Sequence, residues 1–222
     1  ISLKDIDFFY VPNDFDWQKK IFSNFNIDIN KLINSKLHRH IKAKKIIAID
    51  HPWYTKGFIH NEVQNIPEWI IFWLREKFLK VSKKFNCSEK IFIDRSESKF
   101  NHCKLINNDE IIKFLTNKDF KSYQVGKLDF FEQIYLFNNA KIIIGPHGAA
   151  FANTVFSKPK STLIEIIPED HPNKKTQRIS EILNINYIRL RKPKLQYTNN
   201  LEGDMKVDIG ELENILKKIN SD

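Results

Sequence analysis

The sequence predicts an α/β protein built on a parallel sheet covered on both faces. Three observations carry that expectation. Short apolar, β-branched runs alternate along the chain with stretches of helical apolar spacing. The runs are continuous, as in Ile142-Ile143-Ile144 and Ile166-Ile167, which suits strands buried on both sides. Finally, Gly145-Pro146 stops one run sharply, and the small residues Gly148, Ala149 and Ala150 open a helix directly after it.

Taken in order, Asp7-Phe8-Phe9-Tyr10-Val11 predicts a strand that Pro12 stops. Asp16 precedes a helix with Trp17, Ile21, Phe22 and Phe25 on one face, and Lys45-Ile46-Ile47-Ala48-Ile49 predicts a second strand. This reads as the tail of an α/β unit. Residues 53–66 read as a loop, and Pro67 suits the first position of a helix with an apolar face of Trp69, Ile70, Trp73, Leu74 and Phe78. That helix is expected to bridge two domains.

A second series begins with a strand at Lys90-Ile91-Phe92-Ile93-Asp94. Asn107 with Glu110 and Asp129 with Glu132 have capping-box spacing before two helices, with a short strand at Tyr123-Gln124-Val125 between them. Next come the strand through Ile144 and its helix, then a strand at 162–167, a helix at 177–183 and a strand at 187–190. A last helix, capped by Asp208 with Glu211, runs through Leu212 to Ile219. No repeat or low-complexity segment interrupts this order.

The chain has 222 residues, 41% of them hydrophobic, with 18 phenylalanines. That is ample for one sizeable core or two small ones, and disorder is excluded as the default. The net charge of +9 raises nucleic acid as a partner, but the arginines are few and the lysines scattered, so no specific nucleic-acid surface is expected. The lysine excess reads mainly as a composition bias on solvated faces; anionic sugar nucleotides or, in peripheral association, a membrane surface would be the partners of a functional basic patch. Cys87 and Cys103 stand without a CxxC or Cys/His ladder, arguing against a zinc site or disulfide framework and for a reducing compartment. No apolar run approaches the ~20 residues of a membrane span. The chain begins with Ile1 rather than methionine and is expected to be a fragment.

In parallel sheets ligands bind beyond the carboxyl ends of the strands. His147, at a strand-to-helix junction beside the Gly148 and Ala149 amides, is either a donor to a diphosphate or a buried structural histidine. Arg95 either forks onto a phosphate or pairs with Asp94 or Glu97, and Ser96, Ser98 and Lys99 could add phosphate contacts. Glu165, inside a strand, and Glu169, at its end, could accept from ribose hydroxyls or serve structure alone. Asn153 could hold the loop. Asp50 and His51 are candidate general bases by position. Asp5-Ile6-Asp7 has the spacing of paired metal-binding carboxylates, a pattern common by chance, and His38 and His40 have no partner pattern.

Ile143-Ile144-Gly145-Pro146-His147-Gly148-Ala149, then Asn153, Phe156 and Leu163-Ile164-Glu165-Ile166-Ile167-Pro168, resemble the C-terminal region of glycosyltransferase family 61. Pro67-Glu68-Trp69, Trp73-Leu74-Arg75, Ile93-Asp94-Arg95-Ser96, Asn107-Asn108-Asp109-Glu110 and Glu132-Gln133 with Phe137 and Ala140 extend the resemblance in order from about Ile66 to Ile167. The family includes protein O-linked N-acetylglucosamine transferases, plant xylan arabinosyl- and xylosyltransferases, and bacterial capsule enzymes.

The resemblance implies the GT-B architecture, with two Rossmann-like domains facing across a cleft. Residues 1–65 would be the C-terminal part of an acceptor-side domain, the rest of it lying upstream. Residues 66–222 would be the bridging helix and the nucleotide-sugar-binding domain. The implied activity is inverting transfer of a hexosyl or pentosyl group from a nucleotide sugar, UDP-sugar being expected, to a glycan or protein acceptor, with capsule or other surface polysaccharide as one setting. His147, Gly148 and Ala149 would hold the diphosphate, Arg95 would neutralise it, and Asn153 and Glu165 would support the pocket. No cofactor or metal is expected. The implied location is cytoplasmic, or the secretory lumen if a signal lies upstream. Ala150 stands where many members have glycine, and Asp94 where serine is common. The rival reading is a non-catalytic anion- or nucleic-acid-binding α/β module.

Overall fold

A chain of alternating strands and helices closes only if each apolar strand finds a ladder partner and each helix an apolar face. In the computed structural model, which describes residues 2–49, 65–96, 103–195 and 203–219, this happens in two separate units, residues 1–50 and 51–222.

The first unit is small. Strand β1 (Phe9–Val11) pairs in parallel with β2 (Leu32–Asn34), and helix α1 (Asp16–Asn24) connects them. Tyr10 ties the pair to the following turn, its hydroxyl donating to the His38 carbonyl at 2.7 Å. Asp5 is spent on a local cap: its carboxylate accepts the Ser2 amide at 3.2 Å. The expected strand at 45–49 does not form, and Ile46 and Ile49 are 68% and 97% exposed. The parallel partner of β1 is 32–34 instead. A strand needs a ladder, and a five-residue apolar run without one gains nothing from extension.

The second unit holds a five-stranded, all-parallel sheet in the order β4-β3-β5-β6-β7. Its strands are β3 (Lys90–Ile93), β4 (Lys121–Tyr123), β5 (Ile142–Pro146), β6 (Thr162–Pro168) and β7 (Asn186–Lys192). Every residue of β5 and β6 is buried. Ile142, Ile144, Ile164 and Ile166 pack on one face with α3 (Asn108–Thr116) and α6 (Ile209–Ile219). The alternate residues of β6 point the other way, so Glu165 faces α5 (Lys175–Leu183), where Thr176 donates to it. On that face α2 (Glu68–Phe78) meets α4 (Phe130–Asn139), with Phe78 edge-on to Phe130 at 5.6 Å and to Phe156 at 6.4 Å. Among the described residues no helix is long and apolar enough to cross a membrane.

Several local expectations are corrected. Pro67 is the cap before α2, not its first residue. The short strand before α4 is Lys121–Tyr123, and Val125–Lys127 is a 3-10 turn. The Asp129–Glu132 capping box forms, but Asn107 makes none. Its side chain donates to Glu110 Oε2 at 2.9 Å and also holds the distant segment at 207, donating to the Val207 carbonyl at 2.8 Å and accepting its amide at 3.2 Å. A long-range pair of bonds has displaced the local cap.

The helix after β5 is a 3-10 helix, Ala149–Phe156. Its rise of about 2 Å per residue makes the connection to β6 longer than α-helical winding would. Arg75 fixes the far end, its Nη1 donating to the carbonyls of Val155 and Ser157 at 2.7 Å each. These are carbonyls that a helix end leaves without internal partners.

Candidate functional site

Chain order and sheet order disagree at one point. From β3 the chain moves outward to β4, then returns to place β5 on the other side of β3. At such a reversal the connections leave in opposite directions, and a crevice opens beyond the carboxyl ends of the two central strands. Arg95 follows β3 and His147 follows β5, so the topology brings them together.

Two glycines make the approach close. A Cβ on Gly145 would lie 2.7 Å from the Ile93 Cβ, so β5 can run this tightly against β3 only with glycine there. A Cβ on Gly148 would lie 2.6 Å from Arg95 Cζ. The guanidinium therefore rests on the glycine, and its Nη1 donates to the His147 carbonyl. Beyond Gly148 the amides of Ala149 and Ala150 precede the first acceptor inside the helix, since the Phe151 amide bonds the Gly148 carbonyl at 3.1 Å. Ala149 is exposed.

His147 extends the β5–β6 ladder by one bond, its amide donating to the Ile166 carbonyl at 2.7 Å. Its ring turns back to Glu165, Nδ1 to Oε1 at 2.5 Å. Glu165 is 1% exposed. Thr176 Oγ1 also donates to its Oε1 at 3.2 Å, and the Tyr187 hydroxyl donates to its Oε2 at 2.6 Å. Burial opposes the charge on this carboxylate, but the bonds and charge of His147, with those of Tyr187 and Thr176, outweigh it and hold the carboxyl below the usual range. Burial and the adjacent Glu165 charge push the Tyr187 hydroxyl the other way, well up. An ionised Glu165 can only accept, so Nδ1 of the His147 ring carries a proton and Nε2 is the outward edge, which donates to an anion when the ring is the imidazolium.

His171, in the loop after β6, lies against that ring, with centroids 4.3 Å apart and planes tilted by 52°. Lys175 opens α5 beside it, and Glu165 exerts an electrostatic pull on its ammonium. Arg95 also lines an open pocket, together with Ser96, Ile106, Asn107, Asn108 and Pro146. Asp94 organises its rim: its carboxylate accepts from the Ser96 amide at 2.9 Å, Asn108 Nδ2 at 3.1 Å and Gln124 Nε2 at 3.1 Å. Burial works against this charge too, but the bonds from Ser96, Gln124 and Asn108 hold the carboxyl below its ordinary value.

Arg95, His147, Gly148, Ala149 and Glu165 thus gather at one end of the sheet. Ser96 is exposed on the pocket rim. Asn153 is buried and donates to Gln133 Oε1 at 3.0 Å, which holds the 3-10 helix to α4. Glu169 is exposed at the end of β6, its amide on the Lys192 carbonyl at 2.9 Å. Lys99, Ser98, Asp50 and His51 lie outside the described residues. Sequence reasoning missed His171, Lys175, Thr176 and Tyr187. The rule that ligands gather at strand carboxyl ends would have found His171, just past β6; the others become visible only once Glu165 is known to face α5 and β7.

The comparisons with known proteins bear on this arrangement. A family model described as Glycosyltransferase 61 matches residues 6–164. No curated protein matches the chain. The family match begins before β1, takes in the crossing of β3 and β5 with Arg95 and His147, and ends one residue short of Glu165. Since it covers well over half of the 222 residues, the chain belongs to glycosyltransferase family 61 and is a glycosyltransferase.

Proposed function

We propose that the chain is an inverting glycosyltransferase that uses a nucleotide sugar, with a UDP-sugar the favoured donor, and transfers its sugar to a hydroxyl of a glycan or protein. The observation that carries this reading is the meeting of Arg95, Gly148 and the Glu165-oriented His147 at the sheet's reversal point. A diphosphate needs positive charge and N–H donors that are already aimed, because preorganised dipoles cost no rearrangement when charge develops. The site supplies a guanidinium, open amides at the start of a helix, and an imidazole locked by a buried carboxylate.

In inverting transfer, the acceptor oxygen forms a bond to the anomeric carbon as the bond from that carbon to the phosphate oxygen breaks. The electron pair leaves with the nucleoside diphosphate, and a base takes the acceptor proton. Arg95 and the helix amides would stabilise the departing charge. Glu165 touches no ligand in this scheme; it is a positioning residue that acts through His147. Asp50 or His51 is the proposed base, and GT-B is the proposed architecture. Basic groups rather than a metal would carry the leaving-group charge, and surface polysaccharide synthesis would be the setting.

The test is a thermal-shift and calorimetric panel of nucleoside diphosphates and nucleotide sugars on the parent chain and His147→Ala. One nucleotide should bind the parent, with the variant folded but impaired in binding or turnover. Undiminished transferase activity in the variant would refute the assignment, and strict dependence on a divalent ion would refute the leaving-group chemistry.

A further inference from the structure

The loop after β6 carries basic groups that the donor site as described does not use. A circuit of bonds builds it. The Asn173 amide donates to His171 Nδ1 at 3.2 Å, and Asn173 Oδ1 accepts the Lys175 amide at 2.8 Å. The next residue, Thr176, donates to Glu165, and Glu165 holds His147, whose ring lies against that of His171. The circuit closes on itself, so His171 and the first turn of α5 are fixed relative to His147. The Asn173 bond also settles the neutral His171 ring with its proton on Nε2.

Lys175 is half-buried in this circuit. Among the described residues no acceptor holds its Nζ, and none holds His147 Nε2. Burial depresses the lysine's basicity while Glu165 restores part of it. An ammonium taken partly out of water with no acceptor is costly unless an anion completes its coordination. Glu165 does not serve, because His147, Thr176 and Tyr187 already occupy its oxygens. The basic groups follow β3, β5 and β6 in sheet order, and three adjacent strands span about 10 Å, more than a single phosphate fills. At the Arg95 end, the pocket offers Asn107, Asn108 and the half-exposed Ile106, which suit a nucleoside.

We infer that the donor lies along the carboxyl edge of the sheet with a defined polarity: its nucleoside and the adjoining phosphate at Arg95 and Gly148, its sugar-bearing phosphate at His171 and Lys175. This rests on the diphosphate reading of the site and adds two binding residues and a direction to it.

Calorimetry with matched pairs, UMP with UDP and GMP with GDP, tests the polarity. Lys175→Gln and His171→Asn should each weaken the diphosphate about tenfold, the loss of one charge-assisted bond, while leaving the monophosphate within about twofold. Lys175→Arg keeps the charge and should retain diphosphate binding, which guards against a misfolded Gln variant. Arg95→Gln should weaken both members of the pair. If Lys175→Gln and His171→Asn leave diphosphate affinity unchanged, or weaken the monophosphate equally, the polarity is overturned while the Arg95→Gln loss still supports the site. A parent chain that binds neither member of either pair overturns both readings.

Discussion

His147 Nδ1 and Glu165 Oε1 lie 2.5 Å apart in a site where the carboxylate is 1% exposed and accepts two further side-chain donors. This pair sets the direction of the imidazole at the end of β5. Removing the carboxylate's charge while keeping its shape therefore tests the role proposed for His147.

Glu165→Gln should cut kcat about 10- to 100-fold, the usual effect of losing a group that orients a functional histidine, with a smaller change in KM for acceptor. Steady-state kinetics on both substrates would check it. Equal kinetics in parent and variant would separate His147 from the chemistry.

The same pair has a consequence for acid stability. The folded Glu165 carboxyl titrates below its unfolded value of about 4.3. Its contribution is therefore complete above that unfolded value and fades as pH falls through the lower folded one. Urea midpoints of Glu165→Gln should lie below those of the parent near neutral pH, and the gap should narrow below about pH 4. A gap constant with pH would mean that the carboxylate's charge contributes nothing to folding.

Gly148→Ala should displace the Arg95 guanidinium, because the new Cβ would lie 2.6 Å from Cζ. Gly148 has φ of 167°, extended backbone open to any residue, so the fold should survive with its melting temperature changed little. Nucleotide affinity should fall as far as it does in Arg95→Gln, and the double variant should be no worse than either single one. Additive losses would show that glycine and arginine act independently.

Arg75→Leu tests what holds the 3-10 helix in place. It removes both bonds to the Val155 and Ser157 carbonyls, and the unfolding free energy should drop by about 2–3 kcal/mol. Urea unfolding would measure it. An unchanged midpoint would mean that solvent replaces the guanidinium at no cost.

Much of the second unit could be read directly. The runs at 90–93, 142–146 and 162–168 are strands because a continuous β-branched segment has no other way to bury itself. The Asp129–Glu132 box is local chemistry and forms as its spacing predicts. Lys45–Ile49 carried the same kind of signal and stays exposed and outside any strand, because pairing is decided by what lies alongside, here 32–34 next to β1. Asn107 shows the same limit: its cap was outbid by Val207, a hundred residues away.

The candidate site divides along the same line. The sequence by itself determined that a histidine follows a buried strand and a glycine, that an arginine follows another, and that these patterns belong to one family, since strand runs, turns and small residues are short-range features. Only the tertiary structure decided that β3 and β5 are neighbours, that Arg95 rests on Gly148, and that Glu165 is filled by His147, Thr176 and Tyr187 while His171 and Lys175 stand beside it. Those contacts reach as far along the chain as Arg95 and Gly148, fifty-three positions apart. Strand order and side-chain alternation create them, and both are set by packing of the whole sheet.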